Sequence, residues 1–308
     1  MLSVSMQRQE KIWLMESKKG NVFTKSIQVC IYQFHNRFLT TKTGVVYALL
    51  MVVVSFHLRP VADFCIDKSI SVTPWVFPFL SSDYMLQIFL VAGAVLLVAD
   101  APFKGENRMY LLYRTGNIAW QMGTIFYVAL VSVIYVFSIW GIALLSLADV
   151  VHLSWEWGRI LGTLMQQPMT AAEYGIPIVF NYTIYQYTPL EAMVYSLLLE
   201  MGCILFIGLV VYIGNDFLKH RMGVLLAFVY LFLDVMIFNV MPRDVYRLSP
   251  LSVCQLGYFN GDMARVGITL EYAWIFFGGS IFLFCAIILL VGNWKRVWLW
   301  LAGNKGNV

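Results

Sequence analysis

The chain has 308 residues, of which 60% are hydrophobic and only 12% are charged. An ordinary soluble domain carries about 25% charged residues, so this composition argues against a water-soluble fold and indicates an all-α integral membrane protein. The formal net charge of +4 is modest, and the basic residues cluster near the ends of apolar runs, which indicates membrane topology and not nucleic-acid binding.

The first 42 residues form a basic N-terminal region that precedes the first apolar run. Ile27, Ile31, Phe34 and Phe38 recur at helical spacing, which predicts an amphipathic helix lying in the cytoplasmic membrane interface. A flexible basic tail is the alternative, above all for residues 1–21. No compact apolar core precedes a small-residue cleavage site, so the region does not resemble a cleavable signal.

Six apolar runs predict a six-span transmembrane domain over residues 43–291, with a tail over 292–308. The second and fifth runs are near the lower length limit for a span. The predicted spans are 43–61, 84–99, 122–147, 190–213, 223–241 and 271–291.

Residues 101–121 form a polar insert between the second and third spans. The insert is too polar for the bilayer core and too rich in aromatic residues and leucine for a linker, so we predict a short helix along the inner face of the membrane. Its basic residues are Lys104, Arg108 and Arg114. The predicted cytoplasmic segments hold 15 basic residues and the opposite side six, so both termini are expected in the cytoplasm.

Two acidic residues lie inside predicted spans, Glu200 in the fourth and Asp234 in the fifth. An acid at bilayer depth is costly unless it is paired, protonated or in contact with water. These acids, with Asn239, are candidates for a substrate path or a proton relay. The alternative is a structural role, as protonated acids hydrogen-bonded to a neighbouring span, through Asn239 or Ser196 for example.

The outer side contains a long aromatic segment, residues 148–189, and two cysteines in predicted loops, Cys65 and Cys254. A disulfide between them is one possibility in an oxidising compartment. The cysteines and histidines show no metal-site spacing. The sequence also lacks a phosphate-binding GxxxxGK[ST] loop, an HExxH motif and a GxSxG motif, so we expect no enzyme in this chain.

The insert, read as YLLYRTGNIAWQMGTIFY, together with the N-terminal helix and six spans, resembles an ABC-2-type permease, the membrane subunit of an ATP-binding cassette exporter. The match is carried by Arg114, Thr115, Trp120 and Gly123. Asn117 departs from the pattern, since a further basic residue is common there. The local motif covers about 25 residues, whereas the architecture covers the whole chain.

The resemblance implies a separate cytosolic ATP-binding subunit, with ATP and Mg²⁺ held there and no cofactor in this chain. It also implies a second permease chain, identical or paralogous, a cell-membrane location and a bacterial source. The residues expected to couple to the ATPase are Arg108, Tyr110, Leu111, Leu112, Arg114, Thr115 and Trp120. An amphipathic or hydrophobic cargo, such as a peptide, an antibiotic-like or a lipid-like compound, fits the apolar, aromatic spans.

Two other functions are compatible with the sequence. An ion-coupled secondary transporter would use Glu200 and Asp234 as a relay, although the internal repeat that such carriers often show is not evident here. A non-transporting immunity or sensor protein of the membrane would need no ATPase.

Overall fold

The protein is described by a computed structural model that covers residues 20–103, 108–218, 222–259 and 268–304. Twelve α-helices lie in these ranges, and no β-strand does. They are α1 (Val22–Gln33), α2 (Thr41–Lys68), α3 (Phe77–Ser82), α4 (Tyr84–Val98), α5 (Arg108–Thr115), α6 (Asn117–Ser146), α7 (Gly158–Gln166), α8 (Pro168–Glu173), α9 (Pro189–Phe217), α10 (Met222–Asn239), α11 (Pro250–Val253) and α12 (Leu270–Asn304). The predicted tail before residue 20 and Lys104 lie outside the described residues.

Five of these helices, namely α2, α6, α9, α10 and the 270–291 part of α12, are long and apolar enough to cross a membrane. The chain is therefore an all-α, multi-pass membrane protein in character. Helix α4 is apolar but has 15 residues, a length of about 22 Å against a hydrocarbon core of about 30 Å. It is preceded by the buried helix α3, and Asp83 separates the two by capping α4 through the Leu86 N–H at 2.9 Å.

Three predicted boundaries differ from the structure because the helices continue beyond the predicted ends of the spans. Helix α2 continues through Pro60 to Lys68, so Cys65 lies in a helix and not in a loop. Helix α6 begins at Asn117. The preceding residue, Gly116, has a φ of 86°, which changes the direction of the chain between α5 and α6. Helix α12 extends to Asn304, through most of the predicted tail.

The N-terminal amphipathic helix is present as α1, followed by a π-helical turn at Phe34–Phe38. Its apolar stripe is divided: Phe38 is buried in the protein, whereas Ile27 and Ile31 are exposed. The face that packs on the protein is more polar and consists of Ser26, Val29, Cys30 and Gln33. The exposed apolar face is therefore free to contact lipid.

Helix α1 approaches α6 at Gly123. A Cβ atom at this position would lie 2.6 Å from the Val29 Cβ and 2.7 Å from the Ser26 carbonyl oxygen. The buried Gln33 side chain also donates to the Thr124 hydroxyl at 2.9 Å. Glycine is thus required for the two helices to pack this closely, and the contact fixes α1 on the first turns of α6.

Helix α9 is the central helix of the bundle and packs against α3, α4, α6, α10 and α12. In its most apolar window 67% of the residues are buried, against 11% for α12, which lies at the periphery. The close contact of α9 with α6 is made at Gly208, where an added Cβ would lie 2.5 Å from a Val128 methyl group.

The long helices connect alternately at two ends of the bundle, which we name the α5 end and the opposite end. At the opposite end, residues 147–188 cover the helix ends and pair with the 70–76 segment. Val72 and Val151 form an isolated parallel bridge, and the Trp75 indole donates to the Ser154 carbonyl at 2.7 Å. The Trp157 indole donates to the Tyr187 carbonyl at 3.1 Å. These bonds attach residues 148–189, the segment predicted to lie on the outer side, to the rest of the bundle.

The α1–α6 contact predicts that alanine substitutions at two glycines of α6, Gly123 and Gly141, will differ in their effect on stability. Gly123→Ala forces the helices apart and is expected to destabilise the protein by about 1–3 kcal/mol. Gly141→Ala is the matched control, because nothing lies within 4 Å of the added Cβ, and it should be neutral or stabilising by up to about 1 kcal/mol. Thermal unfolding in detergent measures both. Equal melting temperatures for the two variants would contradict the packing argument.

Candidate functional site

Helix α5 lies at one end of the bundle, and the side of α5 that faces the bundle is packed against other helices. Leu111 is buried against Val29 of α1 and Trp120 of α6, in a small cluster separate from the main core. Tyr32 and Leu112 pack against this cluster. The Thr115 hydroxyl donates to the Leu111 carbonyl at 2.9 Å in the last turn of the helix. Helices α1, α5 and α6 therefore form one packed unit at this end.

The outer side of α5 exposes large apolar side chains to the surroundings. Tyr113 is 92% exposed, Met109 78% and Tyr110 52%. The Arg114 guanidinium lies 4.8 Å from the centre of the Tyr110 ring, within cation–π distance. Aromatic, methionine and arginine side chains are enriched in protein interfaces, so this surface, which we call the α5 face, has the composition of a docking site.

The structure places the seven residues predicted to couple to an ATPase at different depths, and Arg108, Leu112 and Thr115 among them are half-buried. Tyr110 and Arg114 belong to the α5 face, but Leu111 and Trp120 are buried inside the protein. These two side chains pack α5 against α1 and α6. Met109 and Tyr113, the most exposed members of the α5 face, were not among the predicted residues. Their i, i+4 spacing was the available signal, since it puts them on one side of a helix.

The turn that precedes α5 is fastened to the bundle by Asn215, near the end of α9. The side-chain amide of Asn215 donates to the Ala99 carbonyl at 2.9 Å and to the Ala101 carbonyl at 2.6 Å. Its oxygen accepts from the backbone N–H of Gly223 in α10 at 2.9 Å. One buried side chain thus joins α4, α9 and α10 directly before the chain enters α5.

Further contacts connect the same turn to α2 and to the π-helical turn that follows α1. The Lys42 ammonium lies 3.0 Å from the Asp100 carboxylate. The Arg37 guanidinium lies 5.7 Å from the centre of the Phe103 ring, and Phe103 packs edge-on against Tyr127 of α6. The exposed ion pair contributes little stability by itself, but together these contacts give the turn a defined position.

A second polar region lies inside the bundle around Glu200 of α9, which is fully buried. Glu200 Oε2 accepts a hydrogen bond of 2.9 Å from the side-chain amide of Gln87 in α4. The same amide nitrogen donates to the Cys254 sulfur at 3.0 Å, and the Cys254 thiol donates to the Leu251 carbonyl at 3.1 Å. The site therefore joins α4, α9 and the segment that follows α11.

Several buried polar atoms in this part of the bundle have no hydrogen-bond partner among the described protein groups. They are Glu200 Oε1, Gln87 Oε1, the Ser196 hydroxyl and the side-chain amide of Gln255. Buried polar groups are normally paired, and an unpaired one costs about 1–3 kcal/mol. The site thus has capacity to bind a further small polar species.

The possible disulfide between Cys65 and Cys254 is not formed: both are free thiols, and Cys254 contacts Gln87 and Cys203. Burial, followed by the interaction with Cys203, raises the pKa of the Cys254 thiol well above its usual value. It is therefore a neutral thiol, in agreement with its donation to the Leu251 carbonyl.

Asp234 of α10 is the second buried acid, and its partners differ from those expected. Its Oδ1 accepts from the Ser249 hydroxyl and, at 2.9 Å, from the Ser252 hydroxyl. Asn239 is exposed and donates to the Val235 carbonyl of its own helix, at 2.8 Å. The predicted grouping of Glu200, Asp234 and Asn239 is thus resolved into two acid sites, with Asn239 in neither. The expected bonds through Asn239 and Ser196 are not formed.

The described residues contain no group of three or more His, Cys, Asp or Glu side chains able to hold a metal ion. Around the two buried acids, the described residues offer hydrogen bonding.

Comparisons of the chain with protein-family models, with curated proteins and with solved structures find no match.

Proposed function

We propose that this chain is the membrane-spanning permease subunit of an ABC exporter, and that the α5 face binds a cytosolic ATP-binding subunit. The observation that carries the proposal is the construction of α5. It presents Met109, Tyr110 and Tyr113 outward, while its inner side is packed against α1 and α6. An exposed apolar face on a firmly held helix suits the transmission of force from a partner.

The contacts behind α5 support a route for that force. A push on α5 would act on α6 through the Leu111–Trp120 contact. It would act on α4, α9 and α10 through the hydrogen bonds of Asn215. Four apolar helices of the bundle would then be displaced together. Rigid-body motion of packed helices is a common way to convert a local event into a larger conformational change.

The remaining parts of the proposal follow from the resemblance to ABC-2-type permeases, from the distribution of the basic residues and from the apolar composition of the spans. ATP and Mg²⁺ belong to the partner subunit, and a second permease chain completes the transport path. The α5 end and both termini are cytoplasmic, in a bacterial cell membrane crossed six times, with α3 and α4 together as the second span. The exposed apolar side of α1 lies in the inner interface. The cargo is amphipathic or hydrophobic.

An ion-coupled transporter is the second candidate function. The observation that favours it is the presence of two buried acids on the neighbouring helices α9 and α10. A carrier of this kind would work without an ATPase, so the two candidates are separated by whether an ATP-hydrolysing subunit binds the chain.

The α5 face can be tested by removing its two most exposed side chains. The double variant Met109→Ala, Tyr113→Ala should lower the amount of ATPase that co-purifies with the tagged chain by at least about tenfold, because exposed aromatic anchors dominate binding energy in such interfaces. The measurement is ATP hydrolysis in the eluate, with the bound subunit identified by mass spectrometry and its stoichiometry determined.

The matched control is Leu153→Ala, Trp155→Ala, which removes two equally exposed apolar side chains at the opposite end. This variant should retain the ATPase. If the wild-type chain elutes without an ATP-hydrolysing subunit, the exporter proposal is wrong. If both double variants retain the subunit, the docking site lies elsewhere.

Charge reversal at Arg114 tests coupling in reconstituted vesicles. Arg114→Glu replaces the cation beside the Tyr110 ring with an anion, so we expect transport per ATP hydrolysed to fall several-fold. Arg159→Glu, at the start of α7, is the control with the same charge change at the opposite end and should leave this ratio unchanged. Normal coupling in Arg114→Glu would remove Arg114 from the proposed coupling surface.

A further inference from the structure

The Glu200–Gln87 pair leaves one oxygen unsatisfied on each side chain. The Gln87 amide nitrogen uses its two hydrogens for Glu200 Oε2 and Cys254, at 2.9 Å and 3.0 Å. Glu200 Oε1 and Gln87 Oε1 have no partner. Both are acceptors, so neither can satisfy the other unless a hydrogen is supplied. Both side chains are fully buried.

The described surroundings of Glu200 supply no counter-charge, and the nearby Cys254 thiol, which lies within hydrogen-bonding reach of Glu200, is directed at the Leu251 carbonyl. The titratable groups that face it are Tyr135 of α6, Cys203 of α9 itself, Cys254 after α11, and the more distant Asp234 of α10. The Tyr135 hydroxyl donates to the Leu90 carbonyl at 2.7 Å, and the Cys254 thiol donates to Leu251. In the described part of the chain no lysine, arginine or histidine forms an ion pair with Glu200.

A carboxylate in this setting would be a buried, unpaired negative charge, one of the least favourable arrangements in a protein interior. We propose that Glu200 is a proton-binding site and that it carries a proton in the resting protein. The proton comes from water and converts the carboxylate to a neutral carboxylic acid. The new O–H group is a donor, and Gln87 Oε1 is the acceptor left open on the adjacent side chain.

The proposed proton site lies where three parts of the fold meet at the opposite end of the bundle. Gln87 lies on α4, Glu200 on α9, and Cys254 on the segment that follows α11. Loss of the proton would place a charge beside all three and favour entry of water between them. The packing of residues 249–255 on the bundle therefore depends on proton occupancy, independently of any ATPase.

Infrared spectroscopy of the purified full-length chain in lipid nanodiscs tests the site without a partner subunit. At neutral pH the wild type should show the carbonyl stretch of a protonated carboxylic acid, with the small shift in D₂O that this group gives. The band should be absent from Glu200→Gln, which keeps the shape and neutral charge of the protonated acid. Asp234→Asn is the matched control and should retain the Glu200 band.

Gln87→Leu provides a second readout that does not need the Glu200 variant to fold. It removes the N–H donor at Glu200 Oε2, so the acid band should remain and move to higher wavenumber. Identical carbonyl regions for wild type and Glu200→Gln would overturn the proposal. So would a rise in melting temperature with Na⁺ or K⁺, relative to choline, in the wild type but not in Glu200→Gln, since the occupant would then be a metal cation. Neither of these two results tests whether an ATPase binds the α5 face.

Discussion

The close packing of α9 in the centre of the bundle is the constraint on which the other contacts depend. Gly208 lets α9 approach α6 so closely that a single methyl group there would overlap Val128. Protein interiors are packed as densely as organic crystals, so a helix held in this way moves as a unit or not at all. Asn215 and Glu200 both lie on α9, fifteen residues apart, or about 22 Å along its axis. The helix therefore connects the α5 end with the buried acid at the other end.

A second packed unit, formed by α1, α5 and the start of α6, lies against this centre. Its two internal contacts are of different kinds. Val29 and Gly123 bring α1 and α6 together through a steric fit, whereas Leu111 and Trp120 join α5 to them by apolar burial. The outward faces also differ: α1 presents aliphatic and aromatic groups suited to lipid, and α5 presents tyrosine and methionine suited to a protein. One unit thus has separate surfaces for the membrane and for the proposed partner.

The sequence was sufficient to predict the elements whose signal is local. The apolar runs predict the long helices because about 20 apolar residues are needed to span a bilayer, and the predicted spans 84–99, 190–213 and 223–241 agree to within a few residues with α4, α9 and α10. The short helix α5 was predicted within its insert for the same reason, since composition alone separates it from the runs on either side. The amphipathic spacing of Ile27 and Ile31 likewise predicted α1.

Features that depend on tertiary contacts were not predictable. The first span was predicted to end at Val61, but the helix continues for seven further residues to Lys68, so Cys65 lies in the helix and not in the predicted loop. Trp120 was expected to meet a partner, but α1 covers it. The hydrogen bond between Gln87 and Glu200 joins residues 113 apart in the chain, and no spacing rule relates them. Their meeting results from the packing of α4 on α9, which a single sequence does not encode in any local pattern.

The two buried acids differ in a way that bears on how the opposite end is held. Asp234 is satisfied by two hydroxyl groups only 15 and 18 residues further along the chain, so it orders the segment around α11 locally. The same segment is also connected to Glu200, because the Gln87 amide donates both to Cys254 and to Glu200. This bridge adds a long-range connection to α4 and α9. Residues 249–255 are thus fastened to carboxyl groups on two different helices. A relative motion of α9 and α10 at this end would have to break at least one of these connections. Glu200 has an oxygen without a hydrogen-bond partner, so the proposed proton would change the strength of its connection.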